Sequence, residues 1–114
     1  MAKRRKPREK STATSDYTDA EGNVLTLRRE LSRGTVRKIQ SDRPASQAAS
    51  ADDIWQRREE TLFERLVVSW EIAGLPMDDQ GMLIGRYRMA GSEERRWVRE
   101  TIARHLAEFI PELA

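Results

Sequence analysis

Cysteine is absent from the 114 residues, which excludes disulfides, thiolate metal sites and cysteine nucleophiles. No apolar run approaches the roughly 20 residues that a bilayer-spanning helix needs. No apolar stretch follows the positive N-terminus as a secretory leader would require, so the sequence reads as a soluble, cytoplasmic protein. No serine sits in a nucleophile-elbow pattern, and no glycine-rich loop leads into Lys and Ser or Thr, so nucleophilic and nucleotide chemistry lack their parts. Aromatic residues are few: both Phe and all three Trp lie after position 52, which places the packed part of the chain in its second half.

Charge is plentiful but uneven. Residues 1–10 hold six basic groups, Lys3, Arg4, Arg5, Lys6, Arg8 and Lys10, and one acid. The remaining residues carry 15 basic and 18 acidic groups, so the high isoelectric point belongs to the N-terminus. These six side chains are the candidate contacts for an anionic partner, since polyphosphate would attract them by counterion release. No aromatic residues are interleaved with them to stack on bases.

Residues 1–15 read as a disordered basic arm, because they offer too little apolar area to offset the entropy of ordering. Residues 16–40 read as a β-hairpin, with Gly22 and Asn23 at its turn, followed by a short helix capped by Ser32. A lone hairpin is marginal in water and needs something to lie against. Residues 41–51, with Pro44, three Ser and four Ala, read as a linker.

Residues 52–114 form the helical domain of this reading. Trp55, Leu62, Phe63, Leu66, Val67 and Trp70 recur at spacings of three and four, which predicts one long helix opened by Asp52 and Asp53 and stopped by Gly74 and Pro76. Asp78 and Asp79 open a second helix containing Met82, Leu83, Ile84 and Tyr87, in which Gly81 and Gly85 permit a close helix contact. Ser92 opens a third, whose stripe runs through Trp97, Val98, Ile102, His105, Leu106, Phe109 and Ile110. The expected fold class is therefore mainly α: a short N-terminal β-hairpin and helix, a linker, then a compact three-helix module.

The paired acids all fall at helix starts, where carboxylates stabilise exposed amides, so no metal is expected. His105, the only histidine, sits in an apolar stripe, where packing outweighs catalysis. No cofactor and no enzymatic activity are expected. The helical module holds 23 large apolar residues, more than three short helices would cover. The surplus is expected to meet another chain, identical or not. Met77, Met82 and Met89 add adaptable contacts around the second helix.

Two blocks, DYTDAEGNVLTLRRELSRGTVRKI and RREETLFERLVVSWEIAGLPMDDQGMLIGRYRM, cover about half of the chain. In type and order of residues the chain resembles the small tail assembly chaperones of long-tailed bacteriophages. The resemblance implies a protein of the host cell cytoplasm that binds a helical tape measure protein and recruits tail tube subunits during tail morphogenesis. Under it, Phe63, Leu66, Val67 and Trp70, then Leu83, Tyr87, Leu106 and Phe109, with Trp55, are the expected client or self contacts. The competing readings are a nucleic-acid-binding accessory protein using the basic arm, and a head-tail connector or tail completion factor.

Overall fold

The structure, a computed structural model, describes residues 13–41 and 51–114, the side chains of 51–55 excepted. Strands β1 (Thr14–Thr18) and β2 (Val24–Arg28) form an antiparallel hairpin. Asp19 builds its turn: the carboxylate accepts from the backbone N–H of Glu21 at 2.8 Å and of Asn23 at 2.9 Å. Gly22 supplies the φ of +87° that the reversal requires. Thr14 and Ser15, expected in the arm, are strand residues.

Helix α1 (Arg33–Ser41) follows, its start fixed by the Ser32 hydroxyl, which accepts from the Thr35 N–H at 3.1 Å. Ser41 ends α1 and Ala51 begins α2 (Ala51–Leu66); the rest of the expected linker lies outside the described residues. Beyond α2 come β3 (Val67–Ile72), β4 (Leu75–Met77), α3 (Gln80–Arg88) and α4 (Ser92–Phe109), closed by one 3₁₀ turn at Pro111–Leu113.

This architecture corrects the expected fold class. The chain forms a four-stranded antiparallel sheet in the order β1-β2-β3-β4 with helices packed against it, not a hairpin beside a three-helix module. The long helix expected through Trp70 stops at Leu66, and the next six residues are a strand paired with β2. Leu25 lies opposite Trp70, while Leu27 lies opposite Val67 across a bulge that leaves Val68 as the extra residue. The bulge explains the misreading. In a regular strand, residues three apart face opposite sides, yet the inserted residue returns Val67 and Trp70 to one face and imitates helical spacing. Gly74 does not end a helix: with Ala73 it makes the two-residue β3–β4 turn, at φ values of 80° and 54°.

Leu25, Leu27, Val67 and Trp70 point from the sheet into a single core completed by Ile39, Leu62, Phe63, Leu66, Leu83, Tyr87, Val98, Ile102, Leu106, Ile110 and Leu113. The opposite sheet face carries the cross-strand pairs Asp16 with Thr26 and Thr26 with Ser69, polar side chains suited to water. Each fully buried Leu or Phe contributes about 1.5–3 kcal/mol relative to exposure. The sheet therefore takes up apolar surface that three helices alone would have left open.

Polar ties close the assembly. Gln40 of α1 and Arg58 of α2 donate to the carbonyls of Glu112 (3.2 Å) and Leu113 (2.7 Å), so the C-terminal turn joins elements distant in sequence. Single ion pairs link α3 to α2 (Arg88–Glu60, 3.0 Å), α4 to α2 (Arg99–Glu59, 3.2 Å) and α3 to α4 (Arg86–Glu94, 2.8 Å).

Candidate protein-interaction surface

Seven of the residues expected to contact a partner, Phe63, Leu66, Val67, Trp70, Leu83, Tyr87 and Leu106, lie in the core with at most 5% of their surface exposed. A docked chain cannot reach them without unfolding the domain. Phe109 is half-buried, lying against His105 and covered by the Arg29 guanidinium 5.1 Å from its ring centre. The side chain of Trp55 is outside the described residues, as are Lys3, Arg4, Arg5, Lys6, Arg8 and Lys10.

The aromatic core has a defined geometry. Phe63 stacks on Tyr87, with ring centres 4.6 Å apart and planes 15° from parallel, and meets Trp70 edge-on at 5.8 Å. Arg86 lies over the Trp70 ring, at 5.3 Å, while paired to Glu94. Trp70 is 1% exposed, and its indole Nε1–H is buried without a hydrogen-bond partner. Such a donor costs about 1–3 kcal/mol, which the burial of the indole more than offsets. Burial likewise raises the Tyr87 phenol above its ordinary pKa.

His105 is fully buried between α4 and the hairpin. Its Nε2 lies 2.6 Å from the Arg28 carbonyl and its Nδ1 lies 2.7 Å from the Tyr17 hydroxyl. A carbonyl only accepts, so Nε2 carries the proton and Nδ1 accepts from Tyr17. Burial, opposed by the Arg28 bond, lowers the pKa of this imidazole below its ordinary value. Both nitrogens are occupied by groups that fasten β1 and β2 to α4.

The surface available to a partner is elsewhere. Among the described residues the exposed large apolar side chains are Leu75 (72%), Met82 (59%) and Met89 (83%). All three belong to one segment: Leu75 is in β4, one side of which has no neighbouring strand among the described residues, Met82 is in α3 and Met89 caps its end. Met82 and Met89 are seven residues apart, which puts them on one side of α3, two turns from each other. The helix is fixed at its start by Asp79, whose carboxylate accepts from the Met82 N–H at 3.0 Å. The close contact expected at Gly85 is not formed: a Cβ there would meet nothing within 4 Å. Periodicity found the buried stripes; the exposed set carries the weaker signal of methionines off the stripe.

A cleft of about 500 Å³ runs between α1 and the end of α4, lined by Arg29, Arg33, Arg37, Phe109 and Glu112 among others. A second cleft, of about 290 Å³, lies between α1 and α2 and is lined by Lys38 and Arg65. Among the described residues no group of His, Asp or Glu is arranged to hold a metal ion, and no helix is long and apolar enough to cross a membrane. Comparison with protein-family models, with curated proteins and with solved structures gave no match to this chain.

Proposed function

We propose that this protein is a non-enzymatic, tail assembly chaperone-like factor acting in the host cell cytoplasm, which holds a tape measure-like helical protein and tail tube subunits. The observation that carries the reading is the β4–α3 segment, where Leu75, Met82 and Met89 are exposed and one side of β4 has no neighbouring strand among the described residues. The choice of client rests on the resemblance in residue type and order to the tail assembly chaperones.

The chemistry of such a surface suits a holding function. Methionine thioethers adapt to irregular apolar partners, and an edge strand offers backbone groups to an extended segment. Asp78, Asp79 and Arg88, exposed along the same segment, keep the surroundings hydrated. Contacts this shallow need no energy source to break: tube subunits polymerising on the client compete for the same apolar surface, and mass action removes the chaperone.

The test is co-expression of the full chain with a tape measure-like helical protein and its tail tube protein, followed by light scattering of the soluble complex. Leu75→Asp and Met89→Asp, which leave the core untouched, should reduce complex formation at least tenfold. Thr18→Asp, on the opposite edge strand, should leave it unchanged. No soluble complex with wild type, or equal complex formation by all three variants, refutes the proposal.

A further inference from the structure

Between α2, α4 and the C-terminal turn lies a cavity of about 190 Å³. Its lining includes Leu62, Tyr87, Ile102, Leu106 and Leu113, each at most 6% exposed, so its floor is the core itself. Arg58, Glu59 and Arg99 line it too. An apolar floor with a few fixed polar groups is the usual form of a small-molecule site.

Here the polar groups are fixed by neighbouring parts of the fold. Arg58 donates to the Leu113 carbonyl at 2.7 Å, and Arg99 is paired with Glu59 at 3.2 Å. Hydrogen bonds to a guanidinium lie in its plane, so both bonds leave its flat faces uncommitted, and those faces attract aromatic rings. The fold makes this pairing elsewhere: Arg29 lies over Phe109, Arg86 over Trp70 and Arg95 over Tyr87, at 5.1, 5.3 and 5.4 Å from the ring centres. Among the described residues, no ring lies under Arg58 or Arg99.

We infer that this cavity binds a compact aromatic molecule, its ring on the apolar floor and against the guanidinium of Arg58 or Arg99. At the packing density of protein interiors the volume holds about eight non-hydrogen atoms, which is one six-membered ring with a short substituent. A saturated ring of that size covers the same floor but forgoes the cation–π attraction, about threefold in affinity at an exposed site. The inference does not rest on the client-holding reading, because Leu75, Met82 and Met89 are absent from the lining.

The experiment is a ¹H–¹⁵N NMR titration of the full chain with benzyl alcohol and, separately, with its saturated counterpart cyclohexylmethanol. Wild type should bind benzyl alcohol saturably, with a dissociation constant of about 1–10 mM for a ligand this small. The shifts should centre on the amides of Leu62, Ile102, Leu106 and Leu113, and cyclohexylmethanol should bind at least threefold more weakly. Ala103 is exposed on α4 and lines the cavity, so Ala103→Leu should weaken binding at least tenfold by filling it. Ala107→Leu, the same change one turn on and outside the lining, should bind as wild type does. So should Leu75→Asp, which separates this site from the client-holding surface. Urea midpoints confirm that each variant is folded. Absence of saturable binding, shifts scattered over the surface, or equal binding by Ala103→Leu would overturn the inference. Equal affinity for cyclohexylmethanol would overturn the aromatic assignment. A last variant, Trp55→Ala, removes an indole one turn before Glu59 in α2; it should bind as wild type does, and binding by that variant alone would show the cavity to be the chain's own and overturn the inference.

Discussion

Replacing Phe63 with Leu removes two aromatic contacts while keeping the position apolar. The ring is 1% exposed, stacked on Tyr87 at 4.6 Å and edge-on to Trp70 at 5.8 Å. Each pair contributes about 0.5–1.5 kcal/mol beyond its buried area, and the smaller side chain leaves a partial cavity. The expected loss is about 2–3 kcal/mol. With a urea slope of about 1–3 kcal/mol/M for a small domain, the unfolding midpoint should fall by roughly 1–2 M. A double-mutant cycle with Tyr87→Leu isolates the stack, with an expected coupling of about 0.5–1.5 kcal/mol. A midpoint within experimental error of wild type, or zero coupling, would refute the placement of Phe63 in the core.

Four further outcomes follow from the geometry. Ala73→Gly should raise stability by about 0.5–1 kcal/mol in urea unfolding, because a φ of 54° is left-handed backbone that alanine resists. Gly85→Ala should raise it by a similar amount, since Ala is favoured in a helix interior and the added Cβ meets open space. Met89→Asp should change stability by less than about 0.5 kcal/mol, because the side chain is 83% exposed. The pH dependence follows from His105, whose folded-state pKa is depressed below 6.5. Above that value both states are neutral there; below it the unfolded chain takes up the proton first, so stability falls as pH drops from 6.5 toward the folded-state pKa. Urea midpoints at pH 7.5, 6.5 and 5.5 should show this decline in wild type and a shallower one in His105→Gln.

The hairpin and α1 were legible because their signals are local: the turn at Asp19–Asn23 and the Ser32 cap act within a few residues. The four-stranded sheet was not, because β3 joins the hairpin by pairing with β2, 40 to 47 residues earlier in the chain. Helical spacing and a bulged strand give the same pattern at Phe63, Leu66, Val67 and Trp70. Pattern alone favoured the helix; the two consecutive valines at 67 and 68, poor in helices and good in strands, were the available counter-signal.

The same error moved the candidate site. With the strand read as helix, the apolar residues seemed too many for their cover, and the buried stripes became candidate contacts. Once Leu25, Leu27, Val67 and Trp70 form the sheet side of the core, the surplus shrinks to Leu75, Met82 and Met89. Periodicity measures apolar faces, and an exposed methionine outside the period escapes it. The basic run at residues 3–10 stands out in sequence and lies outside the described residues.

Amide hydrogen exchange on the full chain tests the four-stranded sheet most directly. The fold predicts that β2 and β3, the central strands, hold the slowest-exchanging amides, with protection close to that of global unfolding, and that Val67–Ile72 is protected together with Val24–Arg28. If those two segments exchange as fast as unstructured peptide while the helices stay protected, the sheet is not formed. The bundle of amphipathic helices would then be the fold.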